Sequence, residues 1–174
     1  EIYLQYLGKE LNNLKEKSFI KIERSRYILK LWSSKDEFME HANYQTTRLI
    51  KSGFKDNRYR LENSYNERFN DDYQELITKK NINNTYQYSK KELLTISNSS
   101  NVYNFSLYDD KDKYLCGCIM GNAGKGFADY ILGTRNNNDK SCFRILILLA
   151  SIELKKNNFH SLNLGGGMSE LKSD

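Results

Sequence analysis

Residues 127–167 read FADYILGTRNNNDKSCFRILILLASIELKKNNFHSLNLGGG, and the order of apolar and polar segments in them gives the strongest indication of the fold class. An apolar segment ending at Leu132 is followed by a polar loop and then by a segment, Cys142 to Leu154, that is apolar nearly all round. A helix of that kind is buried, and its apolar run is too short to span a bilayer. A second extended segment then runs from His160 to Leu164. Two strands joined through a buried helix predict a right-handed crossover that places both strands parallel.

The residues before this stretch predict an antiparallel meander. Residues 102–108 alternate in polarity as a half-buried strand does, and an acidic turn at 109–112 follows them. Residues 114–120 form the returning strand, a glycine-rich turn covers 121–126, and residues 127–132 form the third strand. Turns of this composition connect neighbouring antiparallel strands.

Shorter elements further upstream complete the domain. Ser34 and Glu37 form a capping box that opens a helix through Leu49, and Gly53 closes this helix at the position after its end. The other predicted elements are an amphipathic helix or strand at 4–14, strands at 19–23, 27–32 and 59–61, and helices at 67–80 and 89–96. This order predicts an α+β fold with a mixed, mostly antiparallel sheet flanked by helices.

Composition narrows the class of protein. The chain has 174 residues, of which 39% are hydrophobic and 13% aromatic, and these values predict one folded domain and exclude a disordered chain. Its three cysteines cannot form a paired disulfide framework, so they favour a reducing compartment, the cytoplasm. A net charge of +5 permits an anionic partner without requiring one.

The segment ADYILGT at 128–134, the apolar helix and the ending LNLGGG at 162–167 resemble the C-terminal half of the Fem-type aminoacyltransferases, within the GNAT-fold acyltransferase superfamily. Residues 44–55 resemble that family's basic helix, and residues 69–88 resemble its aromatic-rich helix and loop. The resemblance implies a GNAT-like fold and a bacterial enzyme. It also implies transfer of an acyl or aminoacyl group from acyl-coenzyme A or aminoacyl-tRNA to an amine acceptor, such as a cell-wall (peptidoglycan) precursor or an amino sugar.

The sequence also departs from the family pattern. It stops at Asp174, before a Phe-Lys-Lys-like segment that the family usually carries after the triglycine. The loop at 135–141 contains no glycine, whereas acetyl-coenzyme A-binding relatives use a glycine-containing loop there to hold pyrophosphate. We therefore expect residues 1–174 to be a single GNAT-like domain from a longer protein. The alternative is a non-catalytic, truncated or degenerate GNAT-like domain that binds a partner.

The predicted site lies at the carboxyl ends of the two parallel strands, where open α/β sheets bind ligands. The candidate substrate-binding residues at this edge are Tyr130, Thr134, Arg135, Gly165, Gly166 and Gly167, with Gly133 and Asn163 beside them. Arg135 and the helix dipole would bind an anionic donor, and the glycine backbone would approach a carbonyl or phosphate. The competing interpretations are core packing for Tyr130, a solvated loop for Thr134 and Arg135, and a flexible turn for the glycines. No general base is assigned.

A second candidate site is basic. Its residues are Lys51, Lys55, Arg58 and Arg60. Phe54 and Tyr59 are interleaved with them, a pattern that suits contacts to RNA backbone and bases, and so to tRNA, but equally suits a solvated helix end. Cys116 and Cys118 face one side of a strand without a second cysteine or histidine pair nearby, which favours core packing over a zinc site. We predict neither a metal nor a resident cofactor.

Overall fold

The computed structural model describes residues 26–42, 44, 47–48, 50–51, 59–80, 87–134 and 142–166, so the segments predicted at 4–14 and 19–23 lie outside the described residues. The strands with described bounds are β1 Arg26–Lys30, β2 Tyr59–Glu62, β3 Val102–Asp109, β4 Tyr114–Gly124, β5 Phe127–Gly133 and β6 Ser161–Gly166. The helices with described bounds are α1 Lys35–His41, α2 Arg68–Lys80, α3 Lys90–Ser97 and α4 Cys142–Lys156. Within these described parts of the chain, no helix has the length and apolar character that a bilayer crossing requires.

The six strands form one mixed sheet in the order β1-β6-β5-β4-β3-β2. Neighbouring strands are antiparallel except β5 and β6, which are parallel and are joined through α4. The predicted α+β class, the meander of β3, β4 and β5, and the parallel pair are therefore confirmed. This arrangement brings the carboxyl ends of β5 and β6 to the edge of the sheet where the sequence predicts a ligand site.

Helices cover both faces of the sheet. On one face α4 packs against the strands, and its Leu146 shares a fully buried cluster with Cys116 and Cys118. On the other face Phe69 of α2 packs with Ile119 of β4 in a second cluster, to which α3 also contributes. Successive β4 residues enter opposite clusters because side chains alternate across a strand. The predictions that the two cysteines pack in the core and that α4 is buried are confirmed.

Helix α1 ends earlier than predicted. Its start follows the capping pattern: the Ser34 hydroxyl accepts a hydrogen bond from the Glu37 N–H at 3.1 Å, and the Glu37 carboxylate accepts one from the Ser33 N–H at 2.7 Å. The backbone of Ala42 is extended, with φ −76° and ψ 146°, so the ladder of helical hydrogen bonds cannot continue through it. The prediction that this helix runs unbroken to Gly53 is therefore wrong.

The reversal between β4 and β5 is tighter than predicted. Gly121 and Asn122 pair with β5 in the ladder, although both residue types favour turns. The chain reverses at Lys125 and Gly126, whose φ values of 51° and 77° match the positive φ of two-residue hairpin turns. The prediction of a turn over 121–126 is wrong in its first half, because cross-strand pairing overrides the local turn preference.

Candidate functional site

The two parallel strands separate at their carboxyl ends. β5 and β6 pair at three positions, where Phe127–Asp129 face Ser161–Asn163. Beyond these positions β5 continues to Gly133 beside β4, and β6 continues to Gly166 beside β1. We call the opening between residues 130–133 of β5 and residues 164–166 of β6 the fork.

The β5 arm of the fork bends at a bulge. Met120 of β4 pairs with Tyr130, whereas the preceding Ile119 pairs with Leu132, so Ile131 is an extra residue in β5. The bulge also changes the face on which β5 side chains lie, since Tyr130 packs on the α4 cluster and Leu132 on the α2 cluster. A bulge bends its strand and increases the local twist. β5 therefore turns away from β6 directly beyond their last shared pair.

The β6 arm carries a second irregularity. Ile28 of β1 pairs with Asn163 and Arg26 pairs with Gly166, so two β6 residues lie opposite one β1 residue. One of the two is Gly165, whose φ of +83° is a conformation that glycine adopts without strain. The first two glycines of the predicted triglycine are thus part of a bent strand rather than a flexible turn. Gly167 lies outside the described residues.

The Tyr130 side chain extends along the β5 arm of the fork to Gly133. Its ring packs edge-on against Phe143, with ring centroids 6.1 Å apart, and its hydroxyl lies over Gly133, where a Cβ atom would collide with it. Burial raises the pKa of Tyr130, so the hydroxyl stays protonated at neutral pH. No hydrogen bond of this hydroxyl is found within the described residues. The ring therefore belongs to the core, while the hydroxyl remains a donor at the end of β5.

Thr134 is buried rather than exposed to a ligand. Its side chain has no exposed surface, and its hydroxyl lies 3.2 Å from both the Tyr114 hydroxyl and the Gly117 N–H. In this conformation it cannot contact a ligand, and it anchors the end of β5 to β4 instead. Tyr114 is a partner that local sequence patterns do not reveal. Arg135, the next predicted residue, lies outside the described residues.

A polar pair marks the point where the strands part. The Asn163 side-chain amide donates a hydrogen bond to the Asp129 carboxylate at 2.8 Å, across the last position that β5 and β6 share. The Asn163 amide oxygen also accepts a hydrogen bond from the Gly165 N–H at 3.0 Å. Asp129 was not among the residues predicted for this site. Its position between Ala128 and Tyr130, on the opposite face of the strand, was the available signal.

The predicted basic cluster is only partly within the described residues. Lys51 has a helical backbone and an exposed side chain, while Lys55 and Arg58 lie outside the described residues. Arg60 of β2 forms ion pairs with Glu62 and with Asp112, the latter at 2.8 Å. Hydrogen bonds to these carboxylates raise the pKa of Arg60. Arg60 thus carries its own counter-charges, and its contact with RNA stays a prediction.

The described residues have a GNAT-like fold, a mixed sheet whose two parallel strands are joined through a helix, and solved structures share this fold. No family model matches the sequence, and no curated protein matches it either. Among solved structures, FemX superposes with a TM-score of 0.65 at 10% identity, over 90% of this chain and 56% of FemX.

Two further structures show the same fold. The C-terminal domain of a putative lysylphosphatidylglycerol synthetase from Agrobacterium fabrum gives a TM-score of 0.58 at 13% identity, over 83% of this chain and 47% of that domain. L-PGS from Bacillus licheniformis gives a TM-score of 0.55 at 10% identity, over 87% of this chain and 47% of the L-PGS chain. The chain spans about half the length of each of these structures. The predicted resemblance is confirmed at the level of the fold.

Proposed function

We propose that this chain is an acyltransferase that moves an acyl or aminoacyl group to an amine acceptor, such as a cell-wall precursor or an amino sugar. The donor would be an aminoacyl-tRNA or an acyl-coenzyme A. The observation that carries the proposal is the fork, because two parallel strands that part at their carboxyl ends leave backbone groups outside the β5–β6 ladder. Such groups are free to bind the acyl portion of a donor laid between the strands.

We propose direct transfer without a covalent enzyme intermediate. The amine nitrogen forms a bond to the acyl carbon, the ester or thioester bond breaks, and the proton that nitrogen loses ends on the departing oxygen or sulfur. The protein would contribute by holding both partners together and by stabilising the developing oxyanion with N–H donors. The N–H groups of Gly166 and Gly167 are the proposed donors, since the Gly165 N–H is already bound by Asn163.

Tyr130 has a defined part in this proposal. Its protonated hydroxyl, at the end of the β5 arm, would donate a hydrogen bond to the acyl oxygen or to the departing atom. Arg135 would bind the anionic part of the donor from the loop that follows β5. Thr134 would act only by holding the end of the β5 arm in place.

We also propose a cytoplasmic location and a place within a longer protein. Three buried cysteine thiols fit a reducing compartment, where activated donors of both kinds are made. The Lys51 to Arg60 segment would contact tRNA if the donor is an aminoacyl-tRNA. The alternative function is a non-catalytic GNAT-like binding domain, favoured by the glycine-free loop at 135–141.

A transfer assay with two donors tests the proposal. The purified chain is incubated with radiolabelled aminoacyl-tRNA and a lipid-linked peptidoglycan precursor, and separately with labelled acetyl-coenzyme A and glucosamine. Tyr130→Phe should lower kcat by about tenfold or more, the effect of losing one transition-state hydrogen bond, without loss of stability. The matched control is Tyr103→Phe, because Tyr103 lies on β3, two strands from Tyr130, and packs on Phe159 in the α4 cluster.

The outcomes separate the two functions. Label on the amine in either reaction supports the transferase, and the productive reaction identifies the donor class. No label in either reaction, together with binding of tRNA or coenzyme A, supports the non-catalytic domain. Salt-dependent tRNA binding that Lys51→Ala with Arg58→Ala abolishes would assign the basic segment to RNA.

A further inference from the structure

Asp129 occupies the base of the fork on the face of the sheet that is opposite α4. Its neighbours Ala128 and Tyr130 both pack on the α4 cluster, so the Asp129 side chain lies on the other side. The strand register places it in one row with Ile28 of β1, Asn163 of β6 and Gly121 of β4. It is the charged member of this row, and it stands at the last position before the strands part.

The Asp129 carboxylate has no cationic partner in the described part of the chain. One oxygen accepts the hydrogen bond from Asn163, while the structure records no hydrogen bond to the other oxygen within the described residues. The side chain is half-buried, and its neighbours in the row are an isoleucine, an amide and a glycine. A partly desolvated carboxylate without a counter-charge favours binding of a cationic N–H donor.

Asn163 connects this carboxylate to the backbone of the fork. Its side chain is 6% exposed and makes two hydrogen bonds, one to Asp129 at 2.8 Å and one from the Gly165 N–H at 3.0 Å. Both ends of the amide are therefore engaged, which locks its orientation. The same side chain thus orients the carboxylate and holds the bent backbone of the β6 arm.

We propose that Asp129 binds the amine of the acceptor, as an ammonium group, and that Asn163 positions the carboxylate for this contact. The bound ammonium group releases one proton to solvent before its neutral nitrogen attacks, and the second proton leaves with the departing oxygen or sulfur. The assignment rests on the proposed function, in which an amine must approach the acyl carbon held in the fork. An amine bound to the free oxygen of Asp129 would sit where β5 and β6 part. Asp129 is then the residue that selects amine acceptors over their hydroxyl analogues.

Amine binding is tested without any donor. In the full chain, the side-chain amide resonances of Asn163 are followed by NMR during titration with glucosamine, and with glucose as the isostere that lacks the amine. We expect saturable shifts with glucosamine and none with glucose. Asp129→Asn keeps the shape and the bond to Asn163, and should weaken glucosamine binding by at least about tenfold. Asp110→Asn, which removes the same charge from an exposed turn, should leave binding unchanged.

The transfer assay adds a second readout. In Asp129→Asn we expect the KM for the amine to rise about tenfold while the KM for the donor is unchanged, a split that a general loss of structure would not produce. Equal shifts with glucose, or full glucosamine binding by Asp129→Asn, would overturn the assignment. If that variant fails to fold, the comparison of glucosamine with glucose on the unmodified chain decides. Absence of transfer by the unmodified chain counts against the proposed function, whereas the NMR titration alone decides whether Asp129 is the amine site.

Discussion

Thr134 holds the end of β5 against β4 through buried hydrogen bonds. Its N–H donates to the Gly117 carbonyl at 2.9 Å, and its hydroxyl accepts from the Gly117 N–H and shares a hydrogen bond with the Tyr114 hydroxyl. Water does not reach the Thr134 side chain, so these groups have no substitute partners at this site. A buried polar group that loses its partner destabilises the fold by more than the bond itself contributes.

Thr134→Val should therefore destabilise the chain by about 1–3 kcal/mol, because it leaves the Gly117 N–H and the Tyr114 hydroxyl without this acceptor. Urea unfolding followed by circular dichroism measures the change in the free energy of unfolding. The control is Thr95→Val on the exposed face of α3, for which we expect a change within about 0.5 kcal/mol. Equal losses in the two variants would show that the Thr134 hydroxyl has no special role.

Helix α3 begins at a complete capping box. The Ser89 hydroxyl accepts a hydrogen bond from the Glu92 N–H, and the Glu92 carboxylate accepts bonds from the Ser89 N–H and hydroxyl, both at 2.7 Å. The hydrogen bonds from the Ser89 side chain and then its backbone lower the pKa of Glu92. A helix of eight residues has few internal hydrogen bonds, so its cap matters to its position on the sheet.

The sign of the pH dependence follows from this lowered pKa. A carboxylate whose pKa is lower in the folded chain stabilises the fold above its unfolded value, and this stabilisation is lost as the pH falls through the folded value. We therefore expect wild type to exceed Glu92→Gln in stability at neutral pH, and the gap to close below the ordinary glutamate pKa of about 4.3. Urea midpoints between pH 7 and pH 3 measure it, with Glu40→Gln, an exposed residue of α1, as the control. A gap that does not narrow at all between pH 7 and pH 3 would contradict the cap assignment.

Local patterns predicted which elements exist better than where they end. Helix α4 and strand β3 were predictable from the spacing of apolar residues alone, because the faces that a helix or strand buries set the period at which apolar residues recur. No glycine or proline stands at the end of α1 near Ala42, so the sequence pattern did not predict that the helix ends there. The β4 extension was missed because Gly121 and Asn122 favour turns, while pairing with β5 decided their conformation.

Across the whole molecule, stability is concentrated at the centre of the sheet. β4 is paired on both sides and carries five consecutive buried residues, Cys116 to Met120. β2 is paired only with β3 and lies at the edge of the described sheet. Central strands exchange their amide hydrogens only through global unfolding, whereas edge strands open locally.

Native-state hydrogen exchange checks this gradient. We expect the hydrogen-bonded amides of β4 to exchange at least about tenfold more slowly than those of β2, which corresponds to about 1.4 kcal/mol in opening free energy. The amides of α4 serve as an internal reference, because that helix packs on the central strands. Protection in β2 equal to that in β4 would mean that the sheet opens as one unit.

The candidate site was predictable as a place but not as a set of contacts. The crossover of β5, α4 and β6 indicated the edge at which the two parallel strands part, and the prediction placed Tyr130 and the glycines at this edge. It could not indicate that Thr134 would be buried, because Tyr114 lies 20 residues away in sequence. It also could not single out Asp129, whose partner Asn163 is 34 residues away.

The α+β class, the meander, the buried helix and the parallel pair were predictable, because they depend on the spacing and order of apolar residues along the chain. The parting of β5 and β6 after three shared positions was not predictable, since bulges depend on the register between strands, which forms only on folding. The contact between Asp129 and Asn163 and the burial of Thr134 likewise depend on the tertiary structure. Register and burial are properties of neighbouring segments, and no single segment contains them.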